Sequence, residues 1–292
     1  MRRVLVTGSN GFTGRYVVTE LKRRGYDVVE IVRKKNSTDQ VECDLSDKAH
    51  IKYVFSKIQP DYIIHLAALS FVGHHDARAF YDVNLFSTLN ILEACNELDL
   101  DISKIIISSS ANIYGNPDVE LISEDQPPSP VNHYAMSKLA MEHMCKLWFD
   151  KLPILITRPF NYTGVGQDLK FLIPKIVDHF RRNEKTIELG NLDVYRDFSD
   201  VRDISSYYVD LLESDVKSEF VNLCSGSLYS LFFIVEKMEE IADYKIEVNI
   251  NPSFIRSNEI KKLCGDNSKL MRIINHPPVY CLEDTLKKMF DA

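Results

Sequence analysis

The chain has 292 residues, 45% of them hydrophobic and 26% charged, the balance of a water-soluble globular protein with room for one large domain or two unequal ones. Its formal net charge of −7 weighs against nucleic-acid and anionic-membrane partners, although a local basic cluster can still hold a small anion. The six cysteines (43, 95, 145, 224, 264 and 281) contain no C-x-x-C pair, so neither a metal site nor a disulfide framework is expected.

The opening MRRVLVTGSNG carries two basic residues and a short apolar run, too short for a signal peptide or a membrane span, so a cytoplasmic protein is expected. RVLVTG (3–8) reads as a strand and GRYVVTELKRRG (14–25) as a helix ending at Gly25. Further strands follow at YDVVEIV (26–32), DYIIHLAAL (61–69), SKIIISSS (103–110) and LPILITRPF (152–160), with helices around 46–57, 77–98 and 132–150 between them. Unbroken Val/Ile/Leu strands alternating with helices predict an α/β fold: a Rossmann-type, doubly wound parallel sheet covered on both faces. After Pro159 the loops lengthen and the charge rises, while FVNLCSG (220–226) reads as a late return to the sheet. The expected organisation is a dinucleotide-binding domain at 1–160, rejoined by about 193–226, with a smaller interleaved lobe at 161–192 and 227–292 for substrate.

Between the first strand and the first helix lies Thr7-Gly8-Ser9-Asn10-Gly11-Phe12-Thr13-Gly14. Small residues there allow a tight turn and a close backbone approach to a pyrophosphate, which the helix N-terminus attracts. The second strand ends Ile31-Val32-Arg33-Lys34-Lys35. Val32 stands where an NAD site carries an acid, and Glu30 comes two positions early, directed away or into the strand interior. The basic cluster headed by Arg33 suits a 2′-phosphate, so the expected cofactor is NADP(H).

The fifth strand runs into Ser108-Ser109-Ser110, and the next helix carries Tyr134 and Lys138 one turn apart on one face. Among 14 tyrosines one chance Tyr-x-x-x-Lys is unsurprising, and a second copy exists at Tyr53/Lys57. Only the Tyr134 copy follows a strand-end serine, so it is assigned to chemistry and the other to a helix surface. A free phenol has a pKa of about 10. The ammonium of Lys138 and an oxidised nicotinamide are expected to pull that value down and make Tyr134 a proton-transfer group.

These segments resemble the extended short-chain dehydrogenase/reductase family nearly end to end: TGSNGFTG, DVNLFSTLNILEA, SSSANIYG, YAMSK and RPFNYTGVGQ. GNLDVYRDFSDVRD, NLCSGSLYSL and NPSFIRSNEIKKLCGDNSKL are similar to its GDP-sugar branch, which holds 4,6-dehydratases and 4-keto reductases. The resemblance implies Ser110, rather than Ser109, as the catalytic serine beside Tyr134 and Lys138. It implies cofactor contacts at Gly8, Asn10, Gly11, Phe12, Thr13, Gly14, Arg33, Asp44, Leu45, Leu66, Ala67 and Ala68, besides Tyr134 and Lys138. It also implies substrate contacts at Asn161, Arg196, Arg256 and Glu259, and a homodimer packed through helices near 77–98 and 132–150. The dehydratases carry a glutamate two positions before the tyrosine of the Tyr-Gly pair, where this chain has Asn112, an amide that cannot act as a base. Reduction of a GDP-4-keto-6-deoxy sugar, hexose or heptose, is therefore expected ahead of dehydration or 4-epimerisation, and a non-catalytic NADP-sensing module stands further back. Arg256-Ser257-Asn258-Glu259 departs from the branch's Arg-Pro-x-Glu. His74 and His75 are read as structural or exposed.

Overall fold

The computed structural model describes residues 1–73, 75–254 and 260–292. The first part of the chain lays down β1 (Arg3–Thr7), α1 (Phe12–Arg23), β2 (Asp27–Val32), β3 (Gln40–Glu42), α2 (Lys48–Ile58), β4 (Tyr62–His65), α3 (Ala77–Tyr81), α4 (Ser87–Glu97), β5 (Lys104–Ser108), α5 (His133–Lys146) and β6 (Ile154–Pro159). The second part adds β7 (Asn161–Thr163), α6 (Leu172–Arg181), β8 (Thr186–Leu189), β9 (Tyr195–Asp200), α7 (Val201–Glu213), β10 (Glu219–Leu223) and β11 (Leu228–Ser230). It ends with α8 (Leu231–Ala242), β12 (Glu247–Ile250), β13 (Lys262–Leu263), α9 (Ser268–Ile274) and α10 (Leu282–Asp291).

Seven strands pair in parallel in the order β3-β2-β1-β4-β5-β6-β10, the doubly wound sheet expected from the strand pattern. Side chains alternate across it. Leu5, Ile63, Ile105, Ile107, Ile154 and Ile156 meet Phe55 of α2, Leu92 of α4 and Met141 of α5 on one face. Val4, Val6, Ile64, Ile106 and Leu155 meet Val17 and Leu21 of α1, Tyr208 of α7 and Leu270 of α9 on the other. Burial on both faces is why these strands read as continuous apolar runs. Each fully buried Ile contributes about 1.5–3 kcal/mol relative to exposure, so a charge at Ile106 would break the sheet at its centre. Short β3 went unread in the sequence; it extends the edge beyond β2.

A second core gathers Ile176 and Phe180 of α6, Ile234 and Met238 of α8, Leu286 of α10, and Val194 and Phe198 around β9. Here β9 lies between β11 and β13 and also pairs with β7. Residues 193–226 were expected in the first layer as a block; β10 lies in the large sheet, but β9 belongs to the small one.

The helix expected over 77–98 is broken. A π-helical turn, Asp82–Phe86, separates α3 from α4 and contains Asn84. Asn84 is buried and uses both its amide protons and its Oδ1: Leu69 N donates to Oδ1 (2.9 Å), and Nδ2 donates to Leu69 O (3.2 Å) and Ser137 Oγ (3.0 Å). The widened turn stands where that side chain binds the loop after β4 and α5 together, a common place for π-bulges.

Candidate active site

The carboxyl ends of β1 and β4 face the chain reversal of the sheet, where open α/β sheets bind ligands. Gly8 holds φ +70°, and a Cβ on it would stand 2.7 Å from Ala67 N. A Cβ on Gly14 would stand 2.2 Å from Gly8 O. The expected cofactor segments at 8–14 and 66–68 are thus packed backbone to backbone, an approach only glycine permits. At α1 the N-cap is Gly11, with no side-chain cap and no acid in the first turn. By contrast Asp47 caps α2 and Asn132 caps α5 with side-chain oxygens. The amides of α1 are left for an anionic guest, which fits a dinucleotide pyrophosphate. Thr13 Oγ1 lies 2.7 Å from Tyr162 Oη, and Phe12 stacks on Tyr162 at 6.1 Å, so the loop is fastened to β7.

Asn10 Oδ1 accepts from Gln40 Nε2 at 2.5 Å. Glu30 is occupied: Lys22 Nζ donates to it at 2.8 Å and Gln40 Nε2 at 3.5 Å. Its carboxylate faces neighbours on α1 and β3 rather than the strand interior. Val32 is buried and Arg33 exposed at the end of β2. Asp44 is exposed, and Leu45 beside it is half-buried. Hydrogen bonds from Ser46, with a smaller share from the nearby Arg33 guanidinium, hold the Asp44 carboxyl below the usual range.

At the end of β5, Ser110 caps the 3-10 turn Ala111–Tyr114. Ser110 and Tyr134 are both buried, with the Ser110 hydroxyl near enough to act on the Tyr134 phenol. Lys138, also buried, donates from Nζ to Ser108 O at 2.7 Å. The trio read from the sequence is brought together, whereas Ser109 Oγ is buried without a hydrogen-bond partner. The chain's own groups do not depress the phenol: burial outweighs the neighbouring Ser110 hydroxyl and pushes Tyr134 up to about 12, with Tyr162 adding to the rise. Burial lowers Lys138 to about 8. The other copy is a surface pair: Tyr53 is 65% exposed, with Lys57 Nζ 5.9 Å from its ring centre.

Residues not read from the sequence hold this site in place. His65 lies between Thr7 Oγ1 (2.7 Å) and Thr88 Oγ1 (3.0 Å), and burial lowers it to about 3, so it is neutral. Thr88 gives its proton to Asn84 O (2.9 Å), so it accepts from His65 Nε2–H and Thr7 donates to Nδ1. Asn84 continues the chain to Ser137, whose hydroxyl donates to Tyr134 O at 2.8 Å. Arg158 of β6 is buried against Glu142 of α5 in a two-point pair (3.0 and 2.7 Å) and donates to Tyr114 Oη at 2.9 Å. The helix bearing Tyr134 is therefore fixed to β6 and to the Tyr-Gly turn.

Asn161 pairs in register with Phe198, two residues past Arg196. Arg196 donates to Tyr195 O (2.9 Å) and Lys261 O (3.1 Å); Arg256, Glu259 and His74 lie outside the described residues. Asp197 and Arg202 are not a surface ion pair with their neighbours. Asp197 is buried, accepts from Ser225 and Gly226 and rises to about 6 through burial, while Arg202 forms a two-point pair with Asp200 (2.9 and 2.7 Å). Among the described residues no helix is long and apolar enough to cross a membrane.

A glycine cradle beside a buried phenol that can pass a proton belongs to the dinucleotide-dependent oxidoreductases, and that is the class of this protein. Comparison gives the family. The model described as GDP-mannose 4,6 dehydratase matches residues 5–289, and the chain belongs to that family of extended short-chain dehydrogenases/reductases. It is similar to the GDP-6-deoxy-D-talose 4-dehydrogenase of Aggregatibacter actinomycetemcomitans, 37% identical over 275 residues, 94% of this chain and 92% of the relative. It is also similar to the GDP-6-deoxy-D-mannose reductase of Pseudomonas aeruginosa, 30% identical over 298 residues, 98% of this chain and 95% of the relative. Among solved structures, a putative epimerase from Burkholderia cenocepacia superposes with TM-score 0.93 at 43% identity, covering 99% of this chain and 97% of that one. RMD from Pseudomonas aeruginosa, complexed with NADPH, superposes with TM-score 0.88 at 27% identity, covering 100% and 97%.

Proposed function

We propose that this enzyme reduces the C4 ketone of a GDP-4-keto-6-deoxy sugar with NADPH. The observation that carries the reading is the burial of Ser110, Tyr134 and Lys138 together at the end of β5, with an amide at Asn112 where elimination would need a base. The names of the two relatives, a 4-dehydrogenase and a reductase of GDP-6-deoxy sugars, supply the substrate class. For the cofactor, buried Val32 offers nothing to a ribose hydroxyl, Glu30 is committed to Lys22 and Gln40, and exposed Arg33 lies near Asp44. That set favours a 2′-phosphate.

Bound NADPH would supply the hydride to C4. The 8–14 loop and the N-terminal amides of α1 would hold its pyrophosphate, Asp44 and Leu45 its adenine end, and Leu66, Ala67 and Ala68 the side facing β4. Tyr134, protonated at neutral pH as any phenol is and held so more firmly by burial, gives its proton to the developing alkoxide. Ser110 directs a hydroxyl at the same oxygen. Lys138, held at Ser108 O, keeps a positive charge close to the reacting groups below pH 8. Asn161, Arg196, Arg256 and Glu259 would bind the sugar nucleotide, the residues 161–192 and 227–292 forming the substrate lobe. Exposed Val83 (37%), Phe86 (51%) and Leu147 (78%), next to α4 and α5, support a homodimer through those helices. The six unpaired thiols fit a reducing cytoplasm.

Mixing the protein with NADPH and GDP-4-keto-6-deoxymannose tests the reading: stoichiometric loss of nicotinamide absorbance is expected. No loss with this ketone, together with interconversion of two GDP-sugars that differ at a C4 hydroxyl, would instead support an epimerase, the activity that the Burkholderia structure's description names.

A further inference from the structure

Asn112 is more than a missing base. Its backbone N–H donates to Ser110 Oγ at 3.2 Å, and its side-chain Nδ2 donates to the same oxygen at 3.1 Å. A hydroxyl oxygen has two lone pairs and one proton. With both lone pairs taken by N–H donors, Ser110 can only donate. Toward Tyr134 beside it Ser110 can therefore only give its proton, the direction that favours a phenolate and opposes the upward push of burial on Tyr134.

We propose that Asn112 is a positioning residue that sets the direction of proton donation in the active site. Because Ser110 cannot accept, the Tyr134 proton is never spent on Ser110 and points to whatever oxygen approaches from the crevice. An entering ketone oxygen then draws the Ser110 proton to itself beside the Tyr134 proton, and the two hydroxyls donate to one acceptor. When Tyr134 releases its proton to the new alkoxide, the Ser110 hydroxyl turns to donate to the remaining phenolate, and solvent restores the Tyr134 proton afterwards. The inference deepens the proposed reduction and rests on it for the identity of the acceptor. Its electrostatic part concerns Tyr134 alone.

Asn112→Asp is the sharp variant. The carboxylate has the same shape, cannot donate through its side chain, and accepts the Ser110 proton, which turns Ser110 into an acceptor for Tyr134. It also adds a negative charge beside the phenol. We expect kcat for ketone reduction to fall about 100-fold with NADPH affinity unchanged. The alkaline limb of the reverse oxidation should move to higher pH. Asn112→Ala, which keeps the backbone donor, should lose about tenfold, since one lone pair of Ser110 is freed. The Tyr134 titration, followed by NMR of ring-labelled tyrosine, should shift upward in Asn112→Asp relative to the parent protein whether or not turnover is seen. A parent protein that does not consume NADPH would sink the proposed reaction, leaving the titration to decide this inference. An active parent whose Asn112→Asp and Asn112→Ala variants keep kcat within about twofold and the same pH profile would overturn the inference alone.

Discussion

Two helices of this protein carry the same Tyr-x-x-x-Lys spacing, and their surroundings separate them completely. On α2, Tyr53 and Lys57 face solvent, and the helix meets α4 through ion pairs from Lys48 and Lys52 to Glu93 and Glu97 whose side chains are at least 32% exposed. On α5, Tyr134 and Lys138 are buried, hydrogen-bonded to the end of β5, and anchored through Glu142–Arg158, where both side chains are at most 5% exposed. Spacing fixes which side chains share a face; burial and the strand end opposite decide whether that face can do chemistry.

The contrast can be broken most strongly at the tyrosines. Tyr134→Phe removes the proton donor, so kcat should fall about 10²–10⁴-fold with NADPH affinity kept, while Tyr53→Phe should leave kcat unchanged. Steady-state kinetics with a cofactor titration check both. Next in size is the anchor beneath α5. Glu142→Gln leaves the Arg158 guanidinium buried without its counter-charge, and denaturant unfolding should show a loss of about 3–5 kcal/mol. Lys52→Ala, on the exposed side, should leave the unfolding midpoint where it was.

The lysines sharpen the comparison through pH. Lys138 sits at about 8 in the folded protein against 10.5 for an ordinary lysine. Between those values the unfolded chain binds more protons than the folded one, so this group makes stability rise with pH from about 8 towards 10.5. Buried cysteines such as Cys95, raised from 9.0 to about 12, act in the opposite sense above pH 9, so the interval from 8 to 9 is the cleanest. Lys104, which burial also lowers to about 8, acts in the same sense, so Lys138→Met should roughly halve the rise in that interval and Lys57→Met should leave it unchanged, in melting curves taken across it.

The central strands and the glycine loop were legible because burial on both faces writes uninterrupted Val and Ile runs, and because a tight turn between strand and helix needs Gly8 and Gly14. The Ser110–Tyr134–Lys138 trio was legible because the order strand, serine, helix is local in sequence. What holds the trio was not. His65 joins Thr7 and Thr88, and Arg158 joins Glu142 and Tyr114, across separations of 16 to 58 residues, with side chains that leave no periodic signal. The break at Asp82–Phe86 was hidden because the apolar periodicity runs through it; only the partners of Asn84 explain it. The upward push on Tyr134 from the chain's own groups was hidden because a sequence shows the neighbouring lysine but not the depth of burial.

The account turns on one proton of Tyr134. Single-turnover mixing of NADPH-loaded protein with GDP-4-keto-6-deoxymannose, comparing Tyr134→Phe with Tyr53→Phe, addresses it directly. Loss of nicotinamide absorbance at the parental rate in the Tyr53 variant, and slower by two orders of magnitude or more in the Tyr134 variant, is the predicted result. Equal rates in the two variants would contradict it.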